Sequence, residues 1–541
     1  MQVDDDEATS APGGAQAASD PLPERGSARG GRGEVNVRAR WRPRPEHAFV
    51  LMLGLLVLVV HDVASMLQHP FWLDEAWVAV TTRFPLSQLP ATTSATPIGW
   101  SVVLRVFTLG GDQTSRLLPL AFAGAAVVVA YWFARRLDWR SPEASVMAGL
   151  LAGIGVLLAP AMLVRGDLKQ YTTDACLALL ALALVSRLER RWTRRGLVAL
   201  SVCIGAGMLF SHTVAFVGVA AFGSLCLVQL ARREWKRLLE AAAAGAVTAV
   251  LMLGVYVIFD ARAVVPGLTD FWTRFYVPVG SGAHASIRFV LTRFDYLSGY
   301  TGLGSAWLTV GLTLAGLVTI FRLGRPVTAL TVAALWPEMI IVSALRKYPF
   351  LDLRTSTFLF AITVVVAAIG VVGLCSLLQP RFGRVVPAVL VALAAVAFSV
   401  NARPNIRANW IPLENVRDQA RYVAEHAAPA DEIVVGWGSN FGFAYYWPIG
   451  HPARISGASQ SLTYYPDQPR IIDTLGRNAA AVEAAVTAAR TAALKNPAAR
   501  IWLIRTHVGD VEKAAWKSAF TRHGLTATPV GSDGLWVAQL K

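Results

Sequence analysis

Long uninterrupted apolar runs dominate the first four hundred residues, at 48–67, 116–134, 144–164, 172–187, 196–211, 214–231, 238–259, 302–321, 327–345, 355–378 and 384–400. A helix needs roughly 20 such residues to cross the hydrocarbon of a bilayer. The pattern therefore predicts eleven transmembrane helices. Another apolar stretch, 97–110, has 14 residues with Arg105 in its interior, which suits an amphipathic helix lying in the interface better than a span. After residue 401 the pattern changes. A short apolar strand at Glu432–Val435, an Ala-rich helical run near 479–494 and strands at 500–504 and Leu535–Leu540 predict a small α/β domain over 402–541.

Composition agrees with the spans. Of 541 residues, 54% are hydrophobic and 16% charged, against about a quarter charged in soluble domains. The formal net charge of +15 would suggest nucleic acid in a soluble protein, but loops on the cytoplasmic side of a membrane collect Arg and Lys, and no nucleic-acid partner is expected. Residues 1–46 open with Asp4, Asp5, Asp6 and Glu7 and then turn Gly- and Arg-rich. Such a segment buries too little apolar surface to fold and reads as a disordered cytoplasmic tail. The four cysteines fall inside apolar segments without metal-ligand spacing, as small buried hydrophobes do.

Charge also decides the sidedness. With 97–110 interfacial and the N-terminus inside, the loops at 135–143, 187–195, 232–237, 322–325 and 381–384 all face the cytoplasm, and together they carry 16 Arg or Lys. Making 97–110 a span would place every one of them outside, against the positive-inside bias. The same topology brings the loop at 68–115, the segment 165–174 (RGDLKQYTTD), the Ser211–His212 turn, the loop at 260–301 and the segment 346–354 (RKYPFLDLR) to one outer face. The C-terminal domain follows them there. The expected location is the plasma membrane, multi-pass, with membrane lipids as surroundings.

That outer face carries the candidate chemistry. Asp74 and Glu75 stand adjacent among Phe71, Trp72 and Trp77, aromatic residues that anchor at a membrane interface. A carboxylate there can take a proton from an incoming hydroxyl or ligate a divalent cation through oxygen. A solvated membrane-edge loop would carry the same pair, and metal dependence is not decided by this pattern. In 165–174, Arg165 and Lys169 can hold a phosphate, and Asp167 or Asp174 can supply a second carboxylate; a helix over 172–187 would put Tyr171 and Asp174 on one face. Arg346, Lys347 and Arg354 crowd positive charge onto a short outer loop. A lipid-linked phosphate would account for that, as would anionic headgroups. His212 is a lone histidine between two spans and a further candidate site residue. The loop at 260–301, with Trp272, Phe275, Tyr276, Tyr296 and Tyr300, is long enough to cover a substrate. The GWGSNFG run after the 432–435 strand lacks the full dinucleotide-binding spacing. It reads as part of an accessory or acceptor-positioning domain.

An Asp-Glu pair in the first outer loop, an interfacial helix that begins with Pro (Thr96-Pro97-Ile98-Gly99-Trp100), a charged Tyr-containing segment before the fourth span and the YPF…R element at 348–354 together resemble the GT-C glycosyltransferases, and among them the protein O-mannosyltransferases and aminoarabinose transferases. The resemblance covers about 48–400. It implies a GT-C-like polytopic helical fold and inverting transfer of a sugar from a polyprenyl-phosphate donor, on the extracytoplasmic face, to a hydroxyl of a glycan, lipid or protein. Asp74 matches the family's base and Asp174 its second acidic residue, with Asp167 a rival. The chain departs from the aminoarabinose transferases at Thr96, where those carry Lys, so Lys169, Lys347 and Arg354 would have to hold the donor phosphate. A multi-span transporter is the competing class, but no internal repeat supports it and the charges gather at one face.

Overall fold

The computed structural model describes residues 45–541 apart from 93–95, 109–111, 164–166, 264–270, 384, 408–413, 448–451, 456–463, 467–469, 497, 532–533 and 541. Residues 1–44 of the tail predicted over 1–46 and the candidate Arg165 lie outside the described residues, while Pro45 and Glu46 begin the first helix. Everything from Glu46 onward forms one compact unit.

Each apolar run is helical. The helices are Leu117–Arg135, Pro142–Leu158, Tyr171–Arg190, Arg194–Gly205, Val214–Ala231, Trp235–Ile258, Ala306–Arg322, Pro326–Ala344, Thr357–Phe382 and Val385–Arg407, preceded by a broken first run over Pro45–Leu55, Val57–Val60 and Val63–Gln68. The break falls at Asp62, in the left-handed region at φ 36°, whose carboxylate accepts the Ser65 N–H. Among the described residues, seven helices are long and apolar enough to cross a membrane, or eight if the bent pair Ala283–Thr301 and Ala306–Arg322 is one span. The protein is thus a multi-pass membrane protein. The other predicted spans are present as helices but shorter: Arg194–Gly205 has 12 residues, only about 18 Å at 1.5 Å per residue.

One expectation changes outright. The segment predicted as a long loop over 260–301 contains the helix Ala283–Thr301, which meets Ala306–Arg322 at 81°. Its polar residues hide an amphipathic helix from a reading tuned to uniform apolarity.

Thr357–Phe382 is the centre of the bundle. Residues from Phe358 to Ile369 are buried on every side, as a helix apolar all round must be. Ala306–Arg322 crosses it backbone to backbone: a Cβ at Gly316 would lie 2.0 Å from the Val366 carbonyl oxygen, and one at Gly370 2.2 Å from that of Leu312. Only glycine fits there.

Three of the basic loops, 135–143, 187–195 and 322–325, meet at one end of the bundle. Asp138 pairs with Arg325 and lies 3.6 Å from Arg190. Glu189 accepts the Val327 and Thr328 N–H groups at 2.7 and 3.1 Å, and Glu46 pairs with Arg135 at 2.9 Å.

The C-terminal domain carries a five-stranded sheet in the order β4-β1-β5-β7-β6, formed by β1 (Glu432–Val435), β4 (Ile471–Asp473), β5 (Ile501–Ile504), β6 (Leu525–Pro529) and β7 (Leu535–Leu540); β2 (Pro452–Ile455) and β3 (Tyr464–Pro466) form a separate hairpin. β4, β1 and β5 run parallel; β7 is antiparallel to β5, and the edge strand β6 is antiparallel to β7. The two-residue period sends Ile433 and Val435 to one face, against the helices Val416–His426 and Asn440–Tyr446, and Val434 to the other, against Ala479–Ala493 and Asp510–Arg522. Asn440–Tyr446 leaves the carboxyl end of β1 and packs on the first large loop of the membrane unit. Phe441, Ala444 and Tyr445 share one apolar cluster with Phe71, Ala76, Trp100, Leu104 and Leu168. This cluster sets the floor of the site.

Candidate active site

The HPFWLDEAW segment folds as an extended lead-in followed by the helix Leu73–Thr81, with Asp74 and Glu75 in its first turn. Carboxylates are favoured there by the positive end of the helix dipole. Neighbouring residues on a helix diverge by about 100°, so the two carboxylates meet different partners.

Asp74 faces cations. Its Oδ2 lies 3.4 Å from Lys169 Nζ and accepts a hydrogen bond from Arg354 Nη1. The tryptophans that flank the pair in sequence back these cations: Lys169 Nζ is 5.7 Å from the Trp77 ring centre and Arg354 Cζ is 5.9 Å from that of Trp72. Burial disfavours a charge on Asp74, yet Lys169 and Arg354 outweigh it and hold the carboxyl below the usual range. Asp167 stands beside the same cations, and its Oδ1 accepts the Lys169 N–H at 3.0 Å. Burial dominates there and pushes its carboxyl up, against the pull of Lys169 and Arg354. Tyr171 lies within electrostatic reach of Arg354, Asp167 and Asp74. Two acidic groups with oppositely shifted affinities therefore flank one pair of cations.

The loop that presents Arg354 is tightly braced. Asp352 accepts the Arg354 and Thr355 N–H groups at 3.2 and 3.1 Å, Tyr348 donates to the Thr355 carbonyl at 2.9 Å, and the Phe350 N–H donates to Phe275 at 3.0 Å. Arg346 and Leu351 adopt φ of 56° and 49°, a conformation that non-glycine residues take at a cost of about 1–3 kcal/mol. Lys169 is fixed from the other side, where Trp100 of the helix Ile98–Thr108 donates to the Leu168 carbonyl at 2.8 Å. The 97–110 stretch thus does form a short helix, and it supports the 167–170 segment. Thr96 turns its hydroxyl to Ser101 at 2.8 Å, while Lys169 and Arg354 supply the positive charge.

Glu75 meets Arg116 instead. The guanidinium donates Nε to Oε1 at 2.7 Å and Nη2 to Oε2 at 2.5 Å, and both side chains are 0% exposed. Arg116 also donates to the carbonyls of Met66, His69 and Pro70. The pair folds the HPFW lead-in around itself. Sequence reasoning missed Arg116, although a lone arginine at the start of an apolar run was a usable signal.

The remaining candidates divide. Arg346 and Lys347 are exposed, and no described contact joins them to Asp74. Asp174 lies a turn into Tyr171–Arg190, buried beside Ser211, His212 and Thr213, with neither carboxylate oxygen reaching a partner at hydrogen-bonding length. His212 Nε2 is 3.3 Å from Asp260 Oδ1. This second polar group is separate from the Asp74 pair, and Tyr348 lies within reach of Asp174. Among the described residues, no three His, Cys, Asp or Glu side chains gather in a metal-holding arrangement.

No protein-family model matches the chain, and no curated protein matches it. Solved structures do. ArnT from Cupriavidus metallidurans, in its apo state, superposes with a TM-score of 0.55 at 15% identity over 92% of this chain and 98% of that one. The archaeal oligosaccharyltransferase AglB from Archaeoglobus fulgidus, in complex with an inhibitory peptide and a dolichol-phosphate, gives 0.51 at 13% identity over 92% and 74%. The arabinosyltransferase EmbB from Mycobacterium smegmatis gives 0.43 at 13% identity over 74% and 45%. The chain has the GT-C fold.

Proposed function

We propose that this protein transfers a sugar, with inversion, from a polyprenyl-phosphate donor to an acceptor hydroxyl on the extracytoplasmic face of the membrane. The observation that carries the reading is Asp74 held between Lys169 and Arg354 in a mostly buried site on the GT-C fold. Its fold neighbour AglB was captured with a dolichol-phosphate, a lipid phosphate of the same chemistry.

The donor carries one negative charge on its phosphodiester. Lys169 and Arg354 supply the cations that it needs, and Tyr171 stands beside them. With donor absent, Asp74 pairs with both cations; a phosphate placed between them takes over that role and leaves the carboxylate facing the acceptor. The acceptor hydroxyl then attacks the anomeric carbon, its proton passes to Asp74, and the bond from that carbon to the phosphate oxygen breaks. The second negative charge that develops on the leaving polyprenyl phosphate falls against Lys169 and Arg354, where fixed donors count most. No protonating acid is required, because the phosphate is a good leaving group. Glu75 holds the loop through Arg116 and takes no part in the bond changes.

The test is transfer of radiolabelled sugar from its polyprenyl phosphate by the purified protein in lipid. Asp74→Asn is expected to lower turnover by about 10²–10⁴-fold at unchanged insertion and folding. Wild-type turnover in that variant would overturn the reading.

A further inference from the structure

The helix that carries Asp74 is capped locally only at the Trp72 N–H, which Glu75 accepts. Its preceding residue is Trp72, whose side chain makes no capping hydrogen bond. The vacancy among its first N–H groups is filled from 341 residues away: Leu73 N–H donates to Glu414 Oε2 at 2.9 Å. Glu414 is buried, and its other oxygen accepts from His507 Nδ1 at 2.6 Å. His507 follows β5 and holds φ of 54°, a backbone state that a non-glycine residue keeps only where its surroundings enforce it. Part of that enforcement is visible. A Cβ at Gly438 would lie 2.4 Å from the Thr506 carbonyl oxygen, so the turn after β1 and the turn after β5 touch backbone to backbone.

Other contacts run between the same two units. The Phe71 N–H donates to the Tyr446 hydroxyl at 2.8 Å. Trp77 stacks on Phe441 with centroids 5.4 Å apart and planes 8° from parallel. Arg83 lies 3.8 Å over the Tyr445 ring. Glu414 differs from these in being an anion and in meeting the helix at its first N–H, one residue before Asp74.

From this geometry we infer that Glu414 and His507 are positioning residues for Asp74, so that the C-terminal domain sets the register and direction of the catalytic carboxylate through a cap supplied from a distant part of the same chain. Glu414 satisfies an N–H that the local sequence leaves open and adds negative charge at the positive end of the helix dipole. His507 fixes the carboxylate by binding its second oxygen. Without the cap the first turn frays, and Asp74, which sits in that turn, loses its fixed distance to Lys169 and Arg354. The domain is on this account a working part of the site.

The catalytic half of this inference rests on the transferase reading, so its test has a readout independent of turnover. Hydrogen exchange over 71–81 is measured in the full-length protein in lipid nanodiscs, together with sugar transfer, for wild type, Glu414→Ala, Glu414→Gln and His507→Ala. Glu414→Ala is expected to speed exchange of the first-turn amides by about tenfold or more. It is expected to lower kcat by about 10- to 100-fold, with the donor KM unchanged within about twofold, since a small misplacement costs rate rather than binding. Glu414→Gln, whose amide oxygen still accepts the Leu73 N–H, should restore slow exchange and most of kcat. His507→Ala should fall between the two. Unchanged exchange in Glu414→Ala, or equal losses in Ala and Gln, would overturn the inference even with transfer intact. If the wild type transfers no sugar while exchange responds as described, the transferase reading falls and the cap stands.

Discussion

Asp74 and Glu75 are adjacent in sequence and opposite in use. Asp74 is partly open and shared by two cations; Glu75 is sealed against Arg116. Breaking a buried pair of the second kind strands a charge at about 3–5 kcal/mol, a cost that belongs to folding. The Asp74 cluster has a titration signature instead. Its carboxyl is held below the ordinary value by Lys169 and Arg354 against burial. The stabilisation is therefore complete above the unfolded pKa and lost as pH falls through the lowered folded one. Removing one cation must move that folded value up. In Arg354→Gln, the acid limb of the pH profile of kcat/KM is expected to shift toward neutral pH; an unmoved limb would detach Asp74 from the pH-sensitive step. The adjacency of the pair was legible in the sequence, and so were Lys169, Tyr171 and Arg354 as candidates to hold a donor phosphate. The split in their roles was not, because nothing local says that Arg116 will reach one carboxylate and Arg354 the other.

At the scale of elements, the apolar runs predicted helices because a helix alone satisfies its backbone within a bilayer. Their lengths and bends were less legible. The first run breaks at Asp62, and Ala283–Thr301 was hidden within a segment read as loop, because its mixed polarity matches neither a span nor a turn. The closest crossing, between Ala306–Arg322 and Thr357–Phe382, depends on Gly316 and Gly370. An interior Gly→Ala change ordinarily stabilises a helix by about 0.5–1 kcal/mol. Here the added Cβ meets a carbonyl, so Gly370→Ala is expected to destabilise by roughly 1–3 kcal/mol. Thermal unfolding in detergent checks it: a raised Tm would mean that the helices do not cross at these residues.

For the whole molecule, the distribution of Arg and Lys predicted which five loops belong together, and the structure joins three of them, 135–143, 187–195 and 322–325. Asp138, Arg190 and Arg325 meet at one end with Glu46 and Arg135, whereas Asp74, Lys169 and Arg354 form a separate cluster that the C-terminal domain contacts through Phe441 and Tyr446. Reporter fusions in the loop at 187–195 are accordingly expected to read as cytoplasmic and fusions after residue 416 as extracytoplasmic. The reverse pattern would place the site on the wrong side for an extracytoplasmic donor. The sequence by itself determined the membrane class, the helical runs, the α/β character of the C-terminal domain and the candidate acid and cations, since hydrophobic length, charge bias and alternation are local properties. Only the tertiary structure decided which charges meet. Arg354 reaches Asp74 across 280 residues and Glu414 reaches Leu73 across 341. Such pairings follow from how helices cross and a domain docks, and no local pattern encodes them.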